Sequence, residues 1–98
     1  MTARMSITIA SFAAITRRLI NRDGFDGFLP TVLFPARKAI RVLEGVPDNA
    51  DVGAIALSWA ADEAEGHEDF LLAFKTDSSH FRVIRRSARG TSARSFRI

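Results

Sequence analysis

The sequence predicts an α+β fold: a two-layer sandwich of αββαββ order, with two helices on one face of a four-stranded antiparallel sheet. Two windows, near 9–20 and 52–60, carry apolar residues at helical spacing. Each is followed by a pair of runs rich in strand formers, joined by a short polar turn. The 98 residues are 47% hydrophobic and 26% charged with no cysteine, which favours one globular domain and excludes disulfide scaffolds and thiolate chemistry.

In the first window Ile9, Phe12, Ala13, Thr16, Leu19 and Ile20 share a stripe from which Arg17, Arg18 and Arg22 are displaced. Ser6 or Thr8 suits the start of this helix, and Gly24 suits its end. Residues 5–10 also read as a short leading strand, because Ile7 and Ile9 alternate with Ser and Thr. The first pair of strands is 28–34 and 39–44, with Pro30 near its start and 35–38 as its turn.

Asp48, with Asp51 three residues on, imitates a capping box for the second helix. Val52, Ile55, Ala56, Trp59 and Ala60 mark its apolar face, and Gly66 is a stop. Ile55, Leu57 and Trp59 also alternate like a strand, but five alanines between 54 and 64 favour helix. The second pair of strands is 68–75 and 80–86 around Thr76–Ser79. Domain 1–86 is then followed by a small, polar, basic segment, 87–98, read as a flexible tail.

With a leading strand, the order resembles a ferredoxin-like sheet with an added strand. RNA-recognition modules share that sheet, but Ala39–Glu44 lacks their aromatic motif.

Parity along the strands places Phe28, Val32, Phe34, Ile40, Val42, Phe70, Leu72, Phe74, Phe81 and Val83 on the core face, against Ile15, Leu19, Ile55 and Trp59. The opposite face then mixes leucine, isoleucine and cations, a composition typical of interfaces. Its Leu33, Arg41, Leu43, Leu71, Lys75, Arg82, Ile84 and Arg86 are the expected partner-binding residues.

Charge is segregated along the chain. Residues 1–43 carry net +5, 44–77 net −8 and 78–98 net +6, so the overall +3 conceals opposed blocks. Such blocks supply the complementary potentials that raise association rate and specificity. Together with the mixed face they imply a small non-catalytic protein-binding domain: an adaptor, inhibitor or immunity-type protein, or a homodimer. The alternative is a nucleic-acid-binding module using Arg82, Arg85, Arg86 and the basic tail, with Phe96 the one aromatic in that tail.

Other chemistry lacks a converging set. His67-Glu68-Asp69 with His80 offers metal-type ligands, but neighbours on a strand diverge. Asn21–Gly27 resembles part of a calcium loop until Phe25 and Val32 fall at ligand positions. Phosphate-loop and nucleophile-elbow motifs are absent, so no enzyme and no cofactor are expected. The N-terminal apolar stretch is interrupted by Ser and Thr, which weighs against a signal peptide. No window is apolar enough for a membrane span, and the simplest location is cytoplasmic.

Overall fold

The computed structural model describes residues 7–46 and 51–98. Its elements are α1 (Ile9–Asp23), β1 (Thr31–Phe34), a 3₁₀ turn (Pro35–Arg37), β2 (Ala39–Val42), α2 (Val52–Glu63), β3 (Phe70–Lys75), β4 (His80–Ser87) and β5 (Gly90–Arg97). The strands form a single antiparallel sheet in the order β2-β1-β3-β4-β5.

α1 begins where the sequence predicts. The Thr8 hydroxyl accepts from the Ser11 amide at 3.0 Å, satisfying one of the unpaired N–H groups of the first turn. Gly24 ends the helix at φ +82°, its amide donating to the Ile20 carbonyl at 2.7 Å. Ile7 and Thr8 lie outside the sheet and Ile9 opens the helix. The rest of the candidate leading strand, residues 5 and 6, falls outside the described residues, as does the expected cap Asp48.

β2 and β3 both run antiparallel to β1, which lies between them, so they are parallel to each other. Parallel strands need a long crossover, and α2 supplies it.

The sheet departs from the two-layer expectation in two respects. It has five strands instead of four, because residues 90–97, expected to be tail, pair with β4 from Ser87↔Gly90 to His80↔Arg97. The helices also cover opposite faces. Leu33, Leu71, Ala73, Phe81 and Val83 pack beneath α1 with Phe12, Ala13 and Ile20. Val32, Phe34, Phe70, Leu72, Phe74 and Ile84 pack beneath α2 with Ala56, Ala60 and Ala64.

Register is the physical reason. Lys75 pairs with Phe81 and Leu71 with Arg85, so odd residues of β3 share a face with odd residues of β4. Phe81 and Val83 therefore stand opposite to Phe70, Leu72 and Phe74, because a one-residue difference in register exchanges the two faces. Phe70–Phe74 is buried at every position, and a strand covered on both sides needs such a continuous apolar run.

α2 meets the sheet through small side chains. Ala56, Ala60 and Ala64 face inward, whereas Trp59 is 42% exposed and Ile55 is only partly buried, contrary to the expected stripe. Alanine lets the helix approach the large rings of Phe34 and Phe70, which meet edge to face with centroids 6.2 Å apart. The helix is also tied laterally. Arg37 donates to both carboxylate oxygens of Glu68 at 2.7 Å, and Arg41 pairs with Glu63.

Buried polar groups are few and satisfied. Thr16 Oγ1 donates to the Phe12 carbonyl at 2.8 Å, and Thr31 Oγ1 to that of Leu29 at 2.9 Å. Among the described residues no buried side-chain nitrogen or oxygen lacks a partner, as a close-packed interior requires.

Candidate partner-binding surface

The eight residues expected to form one partner-binding face are divided by the sheet. Leu33, Leu71 and Lys75 lie on the α1 face; Arg41, Leu43, Arg82, Ile84 and Arg86 lie on the α2 face. Leu33 and Leu71 are 4% and 2% exposed beneath α1, so their apolar character serves the interior. Arg41 is occupied with Glu63, and Leu43 packs at the rim of the α2 core. Lys75 donates to the Asp26 carbonyl at 3.3 Å and lies over the Phe25 ring.

Arg82, Ile84 and Arg86 remain together on β4, on the α2 face. Ile84 is 8% exposed, with the two arginines flanking it along the strand. Arg82 Nε donates to Ser95 Oγ at 3.3 Å and Arg86 Nε to Thr91 Oγ1 at 3.4 Å, so both guanidiniums reach onto β5. Beside them, a cleft of about 740 Å³ runs between α2 and the sheet, with Val52, Leu57, Phe74 and Ile84 on its apolar side and Arg82, Lys75, Asp26 and Asp77 on its polar side.

The sequence reading missed β5 itself. Gly90, at φ +123°, pairs with Ser87 across the two-residue turn Ala88-Arg89, the tightest form of hairpin connection. This pairing brings Phe96 opposite Phe81, where the rings stack with centroids 5.4 Å apart. Arg17 of α1 lies over both rings and donates to the Arg97 carbonyl at 2.9 Å. The Ile98 amide donates to the Ser79 carbonyl at 2.9 Å, which fixes the far end of the strand. Phe96 is therefore half-buried, stacked on Phe81 and flanked by the guanidiniums of Arg17 and Arg94, which leaves it poorly placed to stack on a nucleic-acid base.

Arg82, Arg85, Arg86, Arg89, Arg94 and Arg97 all stand on β4, β5 or the turn between them, and none pairs with a carboxylate among the described residues. The nearest acids stop short of pairing with them: Glu68 and Asp69, in the loop after α2, share the lining of clefts with Arg85, Arg86 and Arg89, while Asp62, Glu63 and Glu65 stand at the end of α2.

The metal-type residues do not converge. His67 lies 3.8 Å from Glu65, and Glu68 is held by Arg37, whose guanidinium lowers its carboxyl below the usual range. His80 opens β4 at the other end of the hairpin, roughly 20 Å away along six residues of strand. Among the described residues no group of three or more His, Asp or Glu is arranged to hold a metal.

His80 belongs instead to the β3–β4 turn. Its Nδ1 lies 2.9 Å from Asp77 Oδ1, which also accepts from the Ser79 amide at 2.8 Å. The Ser79 N–H first, and His80 second, lower the Asp77 carboxyl from its ordinary 3.8 to about 2. A carboxyl depressed on folding stabilises the fold above its ordinary value. That contribution falls away as pH drops from about 4 through about 2. Carbon-13 NMR should therefore show Asp77 titrating near 2, with the Ser79 amide shift following the same curve. Titration at the ordinary carboxylate value would remove the turn from any account of acid stability.

No protein-family model, curated protein or solved structure matches the chain. Among the described residues, no helix is long and apolar enough to cross a membrane.

Proposed function

We propose that this chain is a small non-catalytic protein-binding domain that receives an acidic partner at the β4–β5 end of its sheet. The observation that carries this reading is the uncompensated arginine cluster. Arg37 and Arg41 on the β1–β2 side have carboxylate partners, whereas the six arginines of β4, β5 and their turn have none among the described residues. Unpaired like charge on one surface costs self-repulsion and favours capture of the opposite charge. Arg82 and Arg86 would supply the contact on the α2 face, with Arg85 and Arg94 on the other.

Nucleic acid is the competing anionic partner, and the internal stack of Phe96 on Phe81 weighs against it. Fluorescence anisotropy with a glutamate-rich peptide and an oligothymidylate of equal charge separates the two. The peptide should bind the tighter at every salt concentration, and Arg82→Ala with Arg86→Ala should weaken it by about tenfold together, as two modest charge contacts would. Tighter binding of the oligothymidylate, with the steep salt dependence of phosphate contacts, would transfer the surface to nucleic acid.

A further inference from the structure

Resting on that reading, we propose that the partner contributes an extended acidic segment that adds to β5 as a sixth strand. β5 stands at the end of the sheet and has no strand on its outer side among the described residues. Its eight residues span about 26 Å at roughly 3.3 Å each, long enough to template an ordinary strand. Pairing with β4 is one-for-one along its whole length, with no bulge, and the strand contains no proline. Bulges, prolines and shortness, three of the usual means of closing an edge, are absent; the charges it does carry, Arg94 and Arg97, repel a basic strand and not an acidic one. The opposite edge, β2, is four residues long and follows directly on the 3₁₀ turn.

The edge is also held in place. The Ile98 amide on the Ser79 carbonyl and Arg17 on the Arg97 carbonyl tie down its C-terminal end. A fixed template spares an incoming segment part of the ordering cost of binding.

Charge selects the occupant. Residues of a sixth strand would stand about 5 Å from their partners on β5. On the α2 face those partners are Thr91, Ala93, Ser95 and Arg97, with Arg82 and Arg86 reaching across from β4. On the α1 face they are Ser92, Arg94 and the half-buried Phe96, with Arg85 behind. Carboxylates at alternate positions would meet Arg97, Arg82 and Arg86 on one face and Arg94 and Arg85 on the other, so the segment carries acids on both faces. A second copy of β5 would bring a second set of arginines beside Arg94 and Arg97 with no added acid, and like charges on neighbouring strands are destabilising.

Three peptides test this: a twelve-residue acidic strand former of alternating Glu with Thr and Val, and two isomers of it. One isomer is N-methylated at its odd amides and the other at its even amides, so charge and side chains are unchanged. An added strand bonds its template through alternate residues only. One isomer should therefore bind at least about tenfold more weakly than the parent while the other matches it. Equal binding of all three would overturn strand addition and leave the protein-binding reading standing. Binding by none would overturn both. Self-association in sedimentation at low salt, with β5 amides protected from hydrogen exchange, would overturn the acidic segment in favour of a second copy.

Discussion

Leu71→Arg should unfold the domain, whereas Ile40→Arg, on the same face of the sheet, should change its stability by no more than about 0.5 kcal/mol. The two residues lie in one row across the strands, since Leu33 pairs with Ile40 on one side and with Leu71 on the other. Along that row exposure falls from 50% at Ile40 to 4% at Leu33 and 2% at Leu71. α1 lies over β3, β4 and β5, whereas β2 at the far edge of the sheet is largely exposed, and that offset makes the difference. Arginine at 71 forfeits about 1.5–3 kcal/mol of apolar burial and adds an unpaired charge costing several more. A domain of this size has about 5–15 kcal/mol in total. Urea denaturation decides the matter. A folded Leu71→Arg protein with an unchanged midpoint would mean that α1 does not cover β3.

The second large effect is expected at Gly53→Val. A Cβ built on Gly53 falls 2.6 Å from Phe74 Cε2 and 2.7 Å from Cζ, a separation that real side chains do not tolerate. The first turn of α2 thus sits directly on the Phe74 ring, at the mouth of the cleft. Valine must push the ring or lift the helix, and overpacking of this kind costs about 1–3 kcal/mol. Phe74→Leu withdraws the atoms that clash. The double variant should accordingly lose less than the sum of the single losses, with a coupling of about 0.5–3 kcal/mol. Strict additivity would show that the helix does not rest on that ring.

Element positions were legible in the sequence because their signals are local. Thr8 and Gly24 bracket α1, and the turn residues Thr76–Ser79 separate β3 from β4. Which face each strand shows is a non-local property, set by register, and there the reading failed. The apolar residues Leu33, Leu71 and Ile84 looked like an interface because a single covered face was assumed. The unbroken apolar run Phe70–Phe74 was the sign of a strand buried on both sides. Ala56, Ala60 and Ala64 were overlooked as contacts for a related reason. Residue size suggested Trp59 for the core, but the neighbouring phenylalanines already fill the space that a large side chain would need. β5 was hidden by composition: serine, alanine, arginine and glycine dominate it, and its pairing depends on β4 more than on its own propensity. Of the candidate site, the arginines of 82–97 were visible in the sequence as a basic strand end and tail, while the open edge had to wait for the strand that carries Arg94 and Arg97.

The crossover through α2 has a consequence for the order in which the chain assembles. β1 pairs with β2 across a tight turn, but its other partner, Leu71 opposite Leu33, lies far along the chain. As the chain emerges from the ribosome, Thr31–Phe34 therefore presents one unpaired edge and its apolar faces until Phe70–Lys75 has been made. β3, β4 and β5, in contrast, follow one another through short turns and close in sequence. The last third of the chain to be synthesised is thus the part that zips most readily, and it shelters a strand that has waited since the first third.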